Sequence, residues 1–500
     1  MSTLETHPTS ALLTLDGRHH PMFIDGEWVE SVSEQTFATR NPATGETLAT
    51  VPRGTAADVD RAVRAARRAF EGPWSQFRPA QRQRLLLEIA DLFDKYWDDL
   101  SLCDTLDMGK PITRARADRG RVTGMLRYYA GLATALDGRT IDSSLPGTYL
   151  SYTRKEPVGV VGAIIPWNAP VAASVWKIGP ALATGCTIVL KPSEEAPLSP
   201  LFIARILEEA GVPAGVVNVV TGNGPEAGAP LAEHPDVDKI AFTGSTATGQ
   251  SILRASAGNV KRVSLELGGK SPIIVFADAD LDQAVPRVGL AAFANSGQIC
   301  IAGSRLLVED AIHDEFVERL GAYAAELRVG NGADPATEIG PVVSERQLDK
   351  VTSYIESGIS EGARAVAGGG RLDKDGLADG FFVAPTVFAD ARDDMKMVRE
   401  EIFGPVISAL RFQEPDDAIR RANATPYGLS AGVFTTNVGK AHRVAHRLQA
   451  GTVWVNTYHA LDPAVPFGGY KMSGYGKEGG IEHVEEYLST KTIWVDIDEG

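Results

Sequence analysis

One pattern constrains this chain more than any other: short apolar runs alternate with helix-period segments, separated by glycine turns. From residue 158 the order is a strand over Val158–Ile165, helical periodicity over Val171–Thr184, and a strand over Thr187–Leu190. A helix over Pro200–Ala210, a strand over Val216–Val220 and a brief helix over Gly228–Glu233 follow. The series ends with a strand over Lys239–Phe242 and a helix over Thr246–Ala257. A second series begins at Ser271, with a strand over Ile273–Phe276, a helix from Asp280, a strand over Arg305–Val308 and a helix from Asp314. It runs on to Gly451–Asn456 and closes near Tyr470. Alternation of this kind implies parallel sheets covered by helices on both faces. The fold class is α/β, with two parallel-sheet units that meet at Glu266–Lys270. Sheets of this type bind ligands at the carboxyl ends of their strands.

Upstream, Met22–Ile24 and Glu27–Val29 flank Asp25-Gly26 and predict a hairpin. Residues 55–106 read as helices, one capped by Thr55 and the next opened by Pro79, and a third helix runs from about Thr113 to Leu136. The first 20 residues read as a mobile tail without the apolar segment of a signal peptide. No apolar run nears the roughly 20 residues that span a bilayer. A net charge of −15 argues against nucleic acid or an anionic membrane as the main partner. The three cysteines, Cys103, Cys186 and Cys300, are widely separated, which fits a reducing, cytoplasmic setting rather than a disulfide framework. Their spacing suggests no metal site. Cys103 and Cys186 read as packing residues.

Chemistry concentrates in two stretches. Glu266-Leu267-Gly268-Gly269-Lys270 leads from a strand into a glycine turn, and Gly297-Gln298-Ile299-Cys300 places a cysteine 34 residues beyond the glutamate. A cysteine nucleophile needs a partner that activates either the thiol or the water that later releases the acyl group. A buried glutamate can serve. Read alone, a free cysteine is more often a small buried hydrophobe. Phe242-Thr243-Gly244-Ser245 follows a strand and opens a helix whose amides suit a pyrophosphate, although a plain N-cap has the same pattern. Gly222-Asn223-Gly224-Pro225-Glu226-Ala227-Gly228 departs from the dinucleotide fingerprint because its third glycine comes one residue late. Lys191 and Glu194 end a strand where a ribose could be held, and a carboxylate there favours NAD over NADP. Asn168, in Pro166-Trp167-Asn168-Ala169-Pro170, has an amide that could face a developing oxyanion.

Together with Glu400-Glu401-Ile402-Phe403-Gly404-Pro405 and Pro466-Phe467-Gly468-Gly469, these segments resemble the aldehyde dehydrogenase superfamily from about Met22 onward. The resemblance implies a Rossmann-like NAD-binding domain over residues 1–138 and 156–267. It implies a catalytic thiol domain over 268–470 and a small β oligomerisation element with the C-terminal tail over 139–155 and 471–500. Cys300 matches the nucleophile, Asn168 the oxyanion donor, and Glu266 the base that activates water for thioester hydrolysis. Lys177 and Glu478 match a proton relay behind that base. Ile165, Trp167, Lys191, Glu194, Gly224, Gly244, Ser245, Glu401 and Phe403 match positions that bind the cofactor NAD. A homodimer or homotetramer is expected, because a terminal strand over Tyr487–Ile497 and a hairpin near Thr140–Lys155 match the family's oligomerisation element.

Ala169, Ala172, Ala173 and Trp176 recur at one helical face. In the family this face lines the aldehyde channel, with Ala294, Ile299, Ile301, Leu461 and Phe467 matching its other walls. Small residues there suit a bulky hydrophobic aldehyde, aromatic or terpenoid; they also suit close helix packing. Arg121 reads as a surface arginine or as an attractor for a semialdehyde's carboxylate. A coenzyme A-acylating activity is the other alternative, and Glu266 argues for hydrolysis instead. A non-enzymatic relative would be expected to lack one of Asn168, Glu266 or Cys300.

Overall fold

The computed structural model describes residues 15–497 apart from 375. The expected N-terminal tail falls outside the described residues as far as 14. Beyond that it is not a tail: the Gly17 and His20 amides donate to the Leu48 and Thr50 carbonyls, so this stretch lies along the strand Thr47–Pro52.

Two large sheets organise the chain. The first has eight strands in the order Gly474–Tyr475, Arg262–Glu266, Lys239–Thr243, Val160–Ile164, Thr187–Lys191, Val217–Val219, Met22–Ile24 and Glu27–Val29. Its five inner members are parallel, and the expected N-terminal hairpin adds antiparallel strands at one edge. The inner strands are short and almost wholly buried, for example Val160–Ile164 and Thr187–Lys191, which explains their continuous apolar reading. Val160–Ile164 lies at the centre. The chain fills one side of it first and then crosses to the other, so the switch point lies between Val160–Ile164 and Lys239–Thr243.

The second sheet has seven strands in the order Arg364–Ala367, Thr386–Ala389, Val406–Phe412, Arg305–Glu309, Pro272–Val275, Ser430–Phe434 and Thr452–Val455. All but the first are parallel. A third, three-stranded antiparallel sheet pairs Leu488–Asp496 with Tyr149–Pro157 and that strand with Thr140–Ile141. The terminal strand, expected to seek another subunit, therefore pairs over nine residues within its own chain, leaving one edge open.

One helix differs from expectation. The segment from Thr113 to Leu136 is two helices, Ile112–Ala117 and Arg119–Leu132. At the break the Asp118 amide closes a tight turn on the Ala115 carbonyl, while its carboxylate takes Lys110 and Arg121. No described helix is long and apolar enough to cross a membrane.

Candidate active site

The five parallel strands of the first sheet end at Ile164, Lys191, Val219, Thr243 and Glu266. Ile165, Lys191, Gly224, Gly244 and Glu266 therefore all lie along one rim, at the carboxyl ends of the strands. The second sheet offers its opposite rim. Lys270, Cys300 and Glu401 precede the strands Pro272–Val275, Arg305–Glu309 and Val406–Phe412. The candidate residues thus lie at the carboxyl ends of the first sheet's strands and at the amino ends of the second sheet's. The turn Leu267–Lys270 carries the chain directly from one rim to the other.

Cys300 sits at the end of an over-determined loop. Asn295, Ser296 and Gly297 are all left-handed, with φ of 52°, 57° and 69°. The first two carry strain of order 1–3 kcal/mol each, which persists only where neighbours fix the conformation. The Ser296 hydroxyl donates to the Gly340 carbonyl at 2.8 Å, the Asn295 amide to the Asn168 carbonyl at 3.0 Å, and the Val343 N–H to Gln298 Oε1 at 2.9 Å. Gly297 is required, because a Cβ there would collide with the Gly404 carbonyl. The Asn168 side-chain NH₂ donates to the Gln298 carbonyl at 2.9 Å, so the expected oxyanion donor and the cysteine loop are joined directly. Asn295 and Gln298 hold this junction, a role the sequence did not assign to them. The sequence signal is the run Asn295-Ser296-Gly297, whose residue types suit left-handed turns.

Glu266 ends its strand 6 % exposed, and neither carboxylate oxygen has a hydrogen-bond partner among the described residues. Burial first, and then the Glu478 carboxylate, push its carboxyl well above the ordinary glutamate range, while Lys177 and Lys477 pull it back. Lys177 forms a buried ion pair with Glu478. Cys300 is half-buried, and its thiol is pushed up by burial and then by Glu401, Glu266 and Glu478.

A dinucleotide fits the first rim. The Lys191 ammonium is 2 % exposed, and its acceptor among the described residues is Glu194 at 3.3 Å, which leaves donors for a ribose. Ser245 caps the helix Thr246–Ala255 by accepting the Thr248 N–H at 3.2 Å, so the helix's positive end faces this rim. A Cβ at Gly224 would meet open space. Instead of the GxGxxG geometry, residues Gly224–Gly228 form one π-turn. The Trp167 and Phe403 rings meet edge-on at 5.3 Å, and Ile165 is buried with its amide on the Lys191 carbonyl. Phe403 holds φ of 59° while Gln347 donates to its carbonyl at 2.7 Å.

The expected channel residues divide between two cores. Ala169 and Trp176 are half-buried against the first, and Ala172 and Ala173 are 7 % and 8 % exposed. Ile299, Leu461 and Phe467 are half-buried against the second beside Cys300, Ile301 is buried within it, and Ala294 caps the helix Leu281–Phe293. The Phe467 and Glu478 backbones pair through two hydrogen bonds of 2.6 and 2.7 Å, which ties this wall to the Lys177–Glu478 pair. Ala169 and Ala172 also line a cavity of about 10 Å³, room for one water, with Asp104, Lys110 and Asp118 on its far side. Arg121 is bound to Asp118 at 3.0 Å.

The aldehyde dehydrogenase family profile matches residues 28–493. The chain belongs to the aldehyde dehydrogenase family. This aldehyde dehydrogenase is 49 % identical to the mitochondrial aldehyde dehydrogenase of Homo sapiens, over 95 % of its own length and 92 % of that protein's. It superposes with a TM-score of 0.94 on the NAD+ complex of a Bacillus cereus aldehyde dehydrogenase, at 49 % identity, covering 97 % of this chain and 98 % of that one. An NAD+ complex of Staphylococcus aureus betaine aldehyde dehydrogenase gives the same TM-score at 43 % identity, covering 96 % of each chain. The two-sheet architecture of this aldehyde dehydrogenase is therefore that of solved relatives.

Proposed function

We propose that this enzyme oxidises an aldehyde to its carboxylic acid with NAD, through a thiohemiacetal and then a thioester on Cys300. The observation that carries the reading is a buried Glu266 carboxyl, without a hydrogen-bond partner among the described residues, whose charge acts on the Cys300 thiol across the two opposed rims. The Cys300 sulfur attacks the aldehyde carbon, and the oxygen that gains charge is met by the Asn168 amide and the Cys300 N–H. Lys191 and Glu194 would hold the adenosine ribose, and Gly224, Gly244 and Ser245 the pyrophosphate. Ile165 and Trp167 would line the site, and Glu401 and Phe403 would place the nicotinamide ribose and ring. When bound, NAD accepts hydride from the thiohemiacetal carbon. Glu266 then takes a proton from the water that hydrolyses the thioester, with the Lys177–Glu478 pair behind it. A carboxyl raised by burial is the stronger base for this task. The same glutamate favours water over coenzyme A as acyl acceptor.

The substrate in this reading is a bulky hydrophobic aldehyde, aromatic or terpenoid. Three alanines on one wall, and the apolar Ile299, Leu461 and Phe467 opposite, support it. Arg121 is engaged by Asp118, which disfavours the semialdehyde alternative. A homodimer or homotetramer is supported by exposed apolar residues on the three-stranded sheet, including Ile141, Leu150, Trp494 and Val495. Three free, separated thiols fit a cytoplasmic setting.

The test is NADH production over aliphatic, aromatic and terpenoid aldehydes, for wild type and Cys300→Ala. Turnover on a bulky aldehyde that vanishes in the variant is expected. Turnover that survives without the thiol overturns the mechanism, and a preference for acetaldehyde or succinic semialdehyde overturns the substrate class.

A further inference from the structure

If Glu266 accepts a proton in each turnover, as the proposed function requires, that proton must reach solvent. Glu266, Lys177 and Glu478 are each less than one-tenth exposed, so the expected relay ends inside the protein. A second row of polar groups starts at the same glutamate. Along the strand Arg262–Glu266, Ser264 and Glu266 share one face, with about 7 Å between their Cα atoms. The neighbouring strand is in parallel register, with Lys239 opposite Arg262 and Ala241 opposite Ser264. From that position Lys239 Nζ donates to Ser264 Oγ at 3.0 Å and to Glu486 Oε2 at 3.5 Å. The Lys239 side chain is fully buried, whereas the Glu486 side chain is 33 % exposed.

Two glycines roof this row. A Cβ at Gly468 would lie 2.6 Å from Glu266 Oε1 and 2.7 Å from the Gly476 carbonyl. One at Gly476 would lie 2.9 Å from Ser264 Cβ and 3.6 Å from Glu486 Oε1. The same backbone strip therefore covers Glu266, Ser264 and Glu486 in succession.

We propose that Ser264, Lys239 and Glu486 form the route by which the proton taken up by Glu266 leaves for solvent. The step balances without a redox partner. Water oxygen bonds to the acyl carbon, the carbon–sulfur bond breaks to leave the Cys300 thiolate, and the water's proton goes to Glu266. A bridging water takes the proton from Glu266 as it passes one of its own to the Ser264 hydroxyl. Lys239 releases one to Glu486 and takes one from Ser264, and Glu486 yields it to a base in solution. The groups facing Lys239 suit this exchange. Burial lowers its ammonium to about 8, Glu486 and Cys186 oppose that change, Lys177 adds to it, and the Tyr487 ring lies 5.2 Å from Nζ.

The route is tested in single turnovers that time NADH formation and acid release separately, in wild type, Glu486→Gln and Lys239→Met. Glu486→Gln alters a half-exposed side chain, so it decides the matter even if Lys239→Met fails to fold. The expected result is unchanged NADH formation, acid release slowed about tenfold or more, and a larger solvent deuterium isotope effect. Added imidazole should restore acid release. Acid release at the wild-type rate in Glu486→Gln overturns the route. So does a defect that imidazole leaves untouched, or equal slowing of NADH formation. A wild type that forms no NADH from any aldehyde removes the functional reading itself, and the route with it.

Discussion

The backbone N–H of Gly269 donates to Glu401 Oε1 at 2.9 Å, which ties the turn after Glu266 to the loop before the strand Val406–Phe412. The contact sets a carboxylate beside the bottom of the second sheet's rim. That carboxylate is, after burial, the first charge that raises the Cys300 thiol.

Glu401→Gln removes the charge while keeping the shape. The Cys300 thiol should then ionise at lower pH. The check is the pH dependence of inactivation by iodoacetamide without cofactor, whose midpoint should move down relative to wild type. An unmoved midpoint would mean that Glu401 does not act on the thiol.

Gly468→Ala places a methyl 2.6 Å from Glu266 Oε1 and 2.7 Å from the Gly476 carbonyl. With backbone on one side, the neighbours that must yield are the Glu266 carboxylate and the Lys477 side chain, whose Cδ lies 3.1 Å away. The expected cost is about 1–3 kcal/mol of stability, together with a loss of acid release larger than the loss of NADH formation. Thermal unfolding and single-turnover kinetics measure the two separately.

Asp104 is buried and accepts from the Ser199 hydroxyl at 2.6 Å and from the Val171 N–H near the start of the helix Pro170–Thr184. Pro170 has no N–H and Ala169 has no capping side chain, so a carboxylate from another helix takes the cap's place. Burial raises Asp104 from 3.8 to about 6, against the pull of Lys110 and Ser199, with Asp118 adding to the rise. A carboxyl raised in the folded state contributes stability that is complete below its unfolded value. That contribution is lost as pH climbs through its folded value. The change amounts to about 3 kcal/mol. Asp104→Asn does not titrate, so the stability of wild type relative to the variant should fall between about pH 4.5 and about pH 7.5. Urea unfolding at both values tests this, and a constant difference would contradict it.

In the proposed substrate reading, Ala172→Leu fills space on the alanine wall of the aldehyde channel. Catalytic efficiency on an aromatic aldehyde should drop about 10–100-fold, with acetaldehyde affected far less. An equal loss on both substrates would assign Ala172 to helix packing.

The alternation of strands and helices was legible because buried parallel strands are short and uniformly apolar: Val160–Ile164, Thr187–Lys191 and Pro272–Val275 all fall within two residues of their expected bounds. The split at Asp118 was not. Its signal is a tight turn held by Lys110 and Arg121, inside a segment whose Arg and Ala content suits a continuous helix. Within the site, Glu266, Asn168 and Cys300 stood out because each sits beside glycine, proline or asparagine turns. What joins them depends on contacts between distant residues, Asn168 with Gln298 and Gly269 with Glu401, separated by 130 and 132 positions. The Lys239–Glu486 pair spans 247 positions and carries no local pattern at all.

The two sheets present opposite strand ends to each other, and this makes the site a seam. In the proposed mechanism neither half holds a working set of groups: the first has the carboxyl without the thiol, the second the thiol without the carboxyl. Their spacing is governed by how the halves seat on one another, and the chain crosses between them at Leu267–Lys270. A small rotation between the halves alters the distance from Glu266 to Cys300 directly, without any loop opening or closing.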